Sequence, residues 1–165
     1  MRHMLVVVLA VVLMASTAMA QIEKGDKEIQ ANGYLFAMSG ITMLNLSGIY
    51  GYCYTDKIQF GGGPTLSIDH SEFGSTTTLG LTFFGKYYFT ARNKLVPYAS
   101  AQWYQYDIAP KEPAGFFDFT FIQGGGGFKY FVNEYIAWDV SGNLGFSLGD
   151  GDVGFITKAG LSAIF

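Results

Sequence analysis

The hydrophobic pattern of the chain is clearest over residues 133–148, where the sequence reads NEYIAWDVSGNLGFSL. From Ile136 to Leu148, large apolar residues and one glycine alternate with small or polar residues. This period of two predicts a β-strand with one apolar and one polar face. In a soluble sheet the apolar face packs on a core. In a membrane barrel it faces lipid, and the polar face lines the lumen.

The same alternation recurs along the chain and predicts eight strands. We expect them over residues 29–37, 42–54, 57–68, 76–89, 94–106, 117–132, 135–148 and 153–165. Most of these segments exceed the typical strand of about 5–6 residues and match the roughly 9–11 residues of a tilted membrane strand. In the sixth segment, the run Gly124–Gly127 predicts a β-bulge that resets the phase, so its faces are left unassigned.

The N-terminus has the pattern of an export signal. Arg2 and His3 precede an apolar run of eleven residues, and Ala18-Met19-Ala20 is a small-x-small cleavage site. The run is too short for a spanning helix. We therefore expect a signal peptide over 1–20, a periplasmic N-terminal segment over 21–28 and a single barrel domain over 29–165.

Composition and charge narrow the function classes. Cleavage after Ala20 removes Arg2 and leaves nine Lys/Arg against thirteen Asp/Glu, a net charge of −4 that argues against nucleic acid as a partner. After Ala20 no apolar run approaches the roughly 20 residues of a membrane helix, so a spanning mature chain would be a closed barrel. The single Cys53 excludes an internal disulfide and is interpreted as a small buried filler.

Three short turns share a local pattern of aromatics, a polar turn and an apolar strand start. The turns are marked by Asp56, Asn93 and Asn133, which are 37 and 40 residues apart. This spacing puts the three turns and both chain ends on one rim. The aromatic residues beside the turns suit an interfacial girdle at the headgroup level. They are Tyr50, Tyr52, Tyr54, Tyr87, Tyr88, Tyr130, Tyr135 and Trp138. The alternative is that they cap the core of a soluble barrel.

The chain resembles the small eight-stranded outer-membrane barrels, the OmpA/OmpX-like group and its opacity-protein relatives. The resemblance rests on YGYCYTDKIQF, GKYYFTARNKLVPY, GGGGFKYFVN and the terminal KAGLSAIF. It implies an all-β, eight-stranded, antiparallel up-and-down transmembrane barrel in the bacterial outer membrane, with periplasmic termini. It also implies the barrel-assembly machinery and periplasmic chaperones as partners. The tail resembles their assembly signal at Lys158, Gly160, Ala163 and Phe165, although the family usually has a larger residue at the position of Ala163.

The polar faces of the strands predict a lumen filled by side chains. An eight-stranded barrel is just wide enough for this. The uncharged inward candidates are Gln30, Asn32, Asn45, Gln59, Thr65, Ser67, Thr82, Gln102, Asn143 and Ser162. Four charged residues share this side, namely Lys86, Lys129, Asp139 and Lys158. Because buried charges need partners, Asp139 is expected to pair with one or more of the lysines, as a structural plug or as a gate.

No pattern indicates catalysis, a metal or a cofactor. The mature chain has one histidine, and in His70-Ser71-Glu72 adjacent side chains point to opposite sides, so they make a poor triad. One cysteine and one histidine do not build a common zinc site. The opposite rim is acidic, with Lys111 among Asp69, Glu72, Asp107, Glu112, Asp118, Asp150 and Asp152. This charge is either ordinary solvated loop surface or a site for a divalent cation or a cationic protein outside the cell.

Three function classes remain open. The first is a structural or surface-interaction barrel in the lipid bilayer of the outer membrane, without an open pore. The second is a narrow, porin-like passive channel for water, ions or small solutes. The third is a soluble periplasmic barrel of lipocalin type that binds a hydrophobic ligand.

Overall fold

A computed structural model of the chain describes residues 22–38, 41–71, 74–90, 94–108, 120–149 and 151–165. These residues form eight long strands. In chain order they are β1 Lys27–Met38, β2 Ile41–Cys53, β3 Ile58–Ser71, β4 Gly74–Tyr88, β5 Leu95–Gln105, β6 Thr120–Phe131, β7 Ile136–Ser147 and β8 Val153–Ile164. In the part of the chain described, no helix has the length and apolar character needed to cross a membrane.

The strands close into one antiparallel barrel in which each strand pairs with its sequence neighbours and β1 pairs with β8. The seam is continued beyond β8, since the Lys27 amide donates to the Phe165 carbonyl at 2.8 Å and the Phe165 amide donates back at 2.9 Å. Closure leaves no strand with a free edge. The predicted all-β, eight-stranded, up-and-down barrel is confirmed.

Three strand ends extend two or more residues beyond the prediction because backbone pairing continues past the hydrophobic pattern. β1 begins at Lys27, two residues before the predicted start. β3 and β4 also extend through residues that were predicted to form a loop, with Asp69 opposite Thr76 and His70 opposite Ser75. These residues are polar on both faces and show no alternation, so their pairing leaves no hydrophobic signal.

The predicted bulge in β6 is wrong. Gly124 pairs with Ala101 of β5 and Leu144 of β7, and the register continues without a break to Lys129, which pairs with Val96 and Asp139. The inward glycines have a packing reason instead. A Cβ at Gly127 would lie 2.7 Å from the Tyr98 hydroxyl oxygen, so the glycine leaves space for that ring inside the barrel.

The two faces of the wall are inverted relative to a soluble protein. The outward face carries exposed apolar side chains on every strand, including Leu46, Phe60, Phe83, Leu144 and Phe155. The inward face carries the polar side chains, many of them buried. In membrane barrels in general, apolar residues cover the outer wall and polar residues line the interior.

An apolar cluster lies at the end of the barrel where β1 begins and β8 ends, called the terminal end below. It consists of Ile22, Cys53, Tyr88, Val96, Tyr98, Phe131, Ala137 and Ile164. Ile22 precedes β1 and belongs to a short segment tied to the β2 end, where the Gly25 amide donates to the Cys53 carbonyl at 2.8 Å. The Lys24 amide also donates to the Asp56 carboxylate at 2.9 Å. The N-terminal segment therefore helps to cover this end of the lumen.

Gly61 permits close packing of the Phe84 ring inside the barrel. A Cβ at Gly61 would lie 2.7 Å from two carbons of that ring and would press on the Tyr50 carbonyl oxygen. We expect Gly61→Ala to lower the free energy of unfolding by about 1–3 kcal/mol, the usual penalty of overpacking. Urea unfolding in detergent measures this loss. Gly48→Ala is the control, since a Cβ there meets nothing within 4 Å, and an equal loss in both variants would contradict the packing argument.

Candidate functional site: the barrel lumen

The centre of the lumen holds a buried charge cluster around Asp139. This residue lies on β7 beside Lys129 of β6, and curvature of the barrel brings Lys86 of β4 to the same carboxylate. Its Oδ2 atom lies 2.9 Å from Lys129 Nζ and 3.1 Å from Lys86 Nζ. Its Oδ1 atom accepts a hydrogen bond from the Tyr98 hydroxyl. One carboxylate therefore joins four strands.

A second carboxylate, Glu28, completes the cluster and was missed in the sequence. It is 2% exposed, contacts Lys129 Nζ and accepts a hydrogen bond from Gln59 Nε2 at 2.7 Å. The Tyr88 hydroxyl in turn donates to Gln59 Oε1 at 2.7 Å. Glu28 precedes Ile29, the first residue of the predicted strand. Glu28 lies two residues before Gln30 and four before Asn32, so the alternation placed it on the same inward face, and this could have identified it.

Lys158 stands apart from this cluster. Its Nζ atom donates to Gln102 Oε1 at 2.8 Å and to Gln123 Oε1 at 2.9 Å. Among the described residues, no carboxylate lies within 4.0 Å of it. The structure thus brings together Lys86, Lys129 and Asp139 but holds Lys158 by neutral amides.

The uncharged inward candidates all point into the barrel. Eight of them are buried, namely Gln30, Asn45, Gln59, Thr65, Ser67, Thr82, Asn143 and Ser162. Asn32 and Gln102 are half-buried and line the central cavity. Their hydrogen bonds join neighbouring strands and in places cross the lumen. Asn45 Nδ2 donates to Ser67 Oγ at 2.6 Å and to the Tyr104 hydroxyl at 2.8 Å, and the Thr65 and Thr82 hydroxyls lie 3.0 Å apart.

A small polar cavity lies in the middle of the lumen. Lys86, Gln102, Tyr104, Gln123 and Lys158 contribute to its lining. The volume open to the centre of a water molecule is only about 20 Å³, enough for one or two waters. Most of the interior is therefore occupied by side chains.

The aromatic side chains near the terminal end lie mostly on the outer surface. Tyr50, Tyr52, Tyr54, Tyr87, Tyr130, Tyr135 and Trp138 are between 43% and 64% exposed. Tyr88 is the exception, because it is 1% exposed and points into the lumen. Its parity on β4 is that of Phe84 and Lys86, so its inclusion in the outer ring was wrong.

The C-terminal positions fall on both faces of β8. Lys158 and Gly160 lie on the lumen side, whereas Ala163 and Phe165 lie on the outside. Phe165 is 58% exposed and its backbone pairs with Lys27. Cys53 is 2% exposed in the apolar cluster.

Part of the predicted acidic rim falls within the described residues, at the opposite end of the barrel. Asp69 accepts a hydrogen bond from the Tyr106 hydroxyl, and burial and this bond raise the pKa of Tyr106 above its ordinary value. His70 is exposed at the end of β3. Within the described ranges, no group of three metal-ligating side chains occurs. Glu72, Lys111, Glu112, Asp118 and Asp150 lie outside the described residues.

The contribution of Glu28 can be measured with Glu28→Gln. The substitution keeps the side-chain shape but removes the charge-assisted hydrogen bond to Lys129. We expect it to lower the free energy of unfolding by about 1.5–3 kcal/mol. Urea unfolding followed by tryptophan fluorescence gives the value. Glu23→Gln changes an exposed carboxylate and is the control. Equal stability of the two variants would show that the Glu28 contact contributes nothing.

Comparison with known proteins gives likeness at the level of the fold. No family model matches the chain, and no curated protein matches it either. Solved structures do match. The N-terminal β-barrel domain of Pseudomonas aeruginosa OprF is 21% identical with a TM-score of 0.60, over 86% of this chain and 98% of that one.

Two further solved structures show the same likeness in fold. The outer membrane protein OprG from Pseudomonas aeruginosa is 14% identical with a TM-score of 0.55, over 90% of this chain and 99% of that one. A barrel from a study of de novo transmembrane β-barrel design is 13% identical with a TM-score of 0.57, over 88% and 99%. The resemblance inferred from the sequence is confirmed for the fold. The protein has the fold of the small eight-stranded outer-membrane β-barrels.

Proposed function

We propose that this protein is an integral outer-membrane barrel with a closed interior and a structural or surface-interaction role. The observation that carries the proposal is the inversion of the two faces. The outer wall presents exposed apolar and aromatic side chains on all eight strands, while the buried carboxylates Glu28 and Asp139 and three lysines point inside. In water this arrangement would expose the apolar surface and bury the charges, whereas in a bilayer it satisfies both.

The orientation follows from the two rims. The short connections after β2, β4 and β6, the start of β1 and the end of β8 share one end of the barrel, and short turns face the periplasm in outer-membrane barrels. The exposed aromatics near this end would form the girdle at the inner headgroup layer. The outward Phe165 would be accessible to the assembly machinery before the barrel closes, as an assembly signal requires.

The lumen argues against the lipocalin-type alternative. A barrel that stores a hydrophobic ligand needs a large apolar interior. Here the cavity is lined mainly by amide, hydroxyl and ammonium groups and holds about 20 Å³. A barrel embedded in a membrane accounts for both the polar interior and the apolar exterior.

The same cavity argues against an open channel. Hydrogen bonds that join strands far apart around the barrel, such as those from Asn45 to Tyr104 and from Lys158 to Gln102, cross the path of a solute. We therefore expect no steady conductance from the protein in planar lipid bilayers at moderate voltage. Stable single-channel steps that change with Asp139→Asn or Lys158→Ala would favour the narrow passive channel instead.

The membrane assignment is tested by refolding the chain without its signal segment into detergent or lipid and comparing cold and boiled samples on an SDS gel. Closed membrane barrels often resist SDS until they are heated, because no strand edge is free. We expect the cold sample to migrate differently from the boiled one. A monodisperse, folded species obtained without detergent would contradict the proposal and favour the soluble barrel.

A further inference from the structure

The charges inside the described part of the barrel do not balance around its centre. Three lysines, Lys86, Lys129 and Lys158, face two carboxylates, Glu28 and Asp139. Both carboxylates are already engaged. Asp139 contacts two lysines and the Tyr98 hydroxyl, and Glu28 contacts Lys129 and Gln59. One positive charge is therefore left without a carboxylate.

The uncompensated charge lies at Lys158. Its ammonium group is held by the Gln102 and Gln123 carbonyl oxygens, which orient it but carry no net charge. The remaining inward carboxylate, Asp69, lies towards the other end of β3 and is bound by Tyr106. Lys158 is half-buried, and an ammonium withdrawn from water without a counter-charge is costly, so the site favours an anion beside it.

The cavity beside Lys158 has the size and the donors for such an ion. Lys86 and Lys158 both line it, together with the hydroxyl-bearing Thr82, Tyr104 and Ser141. Asp139 is the carboxylate at its wall, and its oxygens are occupied by lysines and Tyr98. The volume of about 20 Å³ suits an ion close to the size of water and excludes bulky organic anions such as gluconate.

We propose that the lumen cavity binds one small monovalent anion of the halide class, held by Lys158 with Lys86 nearby. The ion neutralises the third lysine of the lumen and completes the packed interior. The inference goes beyond the proposed function. It rests on the geometry of the lumen, so the anion site can be tested independently of whether the barrel lies in a membrane.

The direct test is a crystal of the purified protein grown or soaked in sodium bromide, measured at the bromine absorption edge. We expect an anomalous peak inside the barrel in contact with Lys158 Nζ. Peaks found only at outer lysines such as Lys57 would mean an adventitious ion only, and this result would overturn the proposal. An interior with only water beside Lys158 would also overturn it.

A solution test uses thermal unfolding in detergent at constant ionic strength, with bromide replacing gluconate, which is too large for the cavity. Because a ligand that binds the folded state raises the unfolding midpoint, we expect a saturable rise of several degrees. Lys158→Gln should abolish the rise, and Lys57→Gln, at an exposed turn, should retain it. If Lys158→Gln does not fold, Gln123→Glu is the second variant, since it supplies an internal carboxylate and should also remove the bromide response. No bromide response in the parent chain, or the same response in all variants, would refute the site.

Discussion

Replacing Asp139 by asparagine is expected to lower the free energy of unfolding by about 3–5 kcal/mol, the usual penalty for breaking a buried ion pair. The asparagine keeps the shape of the side chain, but Lys86 and Lys129 then lose the charge that they share at 3.1 and 2.9 Å. Lys129 retains Glu28, whereas Lys86 is left, among the described residues, with neutral acceptors such as Gln30 Oε1 at 3.0 Å. The loss should therefore fall mainly on Lys86.

Equilibrium urea unfolding in detergent measures this effect. Asp152→Asn is the matched control, because Asp152 is exposed outside the strands and the change there should stay within about 0.5 kcal/mol. The double variant Asp139→Asn/Lys86→Met should be more stable than Asp139→Asn alone, since it removes the unpaired ammonium. A double variant no more stable than the single one would contradict the assignment of the loss to Lys86.

Placing a charge on the outer wall at Val140 is expected to cost roughly 2–4 kcal/mol in a bilayer. Val140 lies near the middle of β7 and is 38% exposed on the apolar face. Arginine at this position would carry its guanidinium into the hydrocarbon layer. If the barrel were soluble, the same arginine would extend into water, and the substitution would be close to neutral.

Val140→Arg is therefore best compared with Tyr135→Arg, which adds the same side chain at an exposed turn. Unfolding in lipid vesicles should show a large loss for Val140→Arg and at most about 1 kcal/mol for Tyr135→Arg, because the penalty falls towards the interface. Equal losses at the two positions would contradict the assignment of the outer face to lipid.

The alternation of apolar and polar residues along the strands predicted most of the fold and most of the residues that line the lumen. Residues such as Gln59, Lys86 and Asn143 follow from parity alone, since a side chain two residues along a strand returns to the same face. The inward and outward faces of β6 could not be predicted in this way, because the four glycines Gly124–Gly127 have no side chains that would show the alternation. The continuous pairing with β5 and β7 assigns them instead.

The partners of the buried charges required the three-dimensional structure. Lys129 and Asp139 face each other across adjacent strands, which is a local relation. The contact of Lys86 with Asp139 crosses the lumen between β4 and β7, and its geometry depends on the curvature of the closed barrel. Glu28 was missed because one charged residue before the first apolar position looks like part of a leader segment.

The central claim, that the apolar outer face lies in lipid, is tested most directly by fluorescence. The chain has two tryptophans, Trp103 and Trp138. Both lie on the outside. Trp103 packs against Phe83 with ring centroids 5.5 Å apart, and Trp138 is 50% exposed. No buried tryptophan therefore obscures the signal.

The protein is refolded into vesicles of phosphatidylcholine with brominated acyl chains, and its emission is compared with that in the unbrominated lipid. Trp103→Phe and Trp138→Phe variants separate the two signals. We predict strong quenching of Trp103 by bromine in the bilayer and weak quenching by aqueous acrylamide, and partial quenching of Trp138 by both, because Trp138 belongs to the interfacial girdle. Unchanged emission in brominated lipid together with strong quenching by acrylamide would contradict the claim, because the outer face would then be in water.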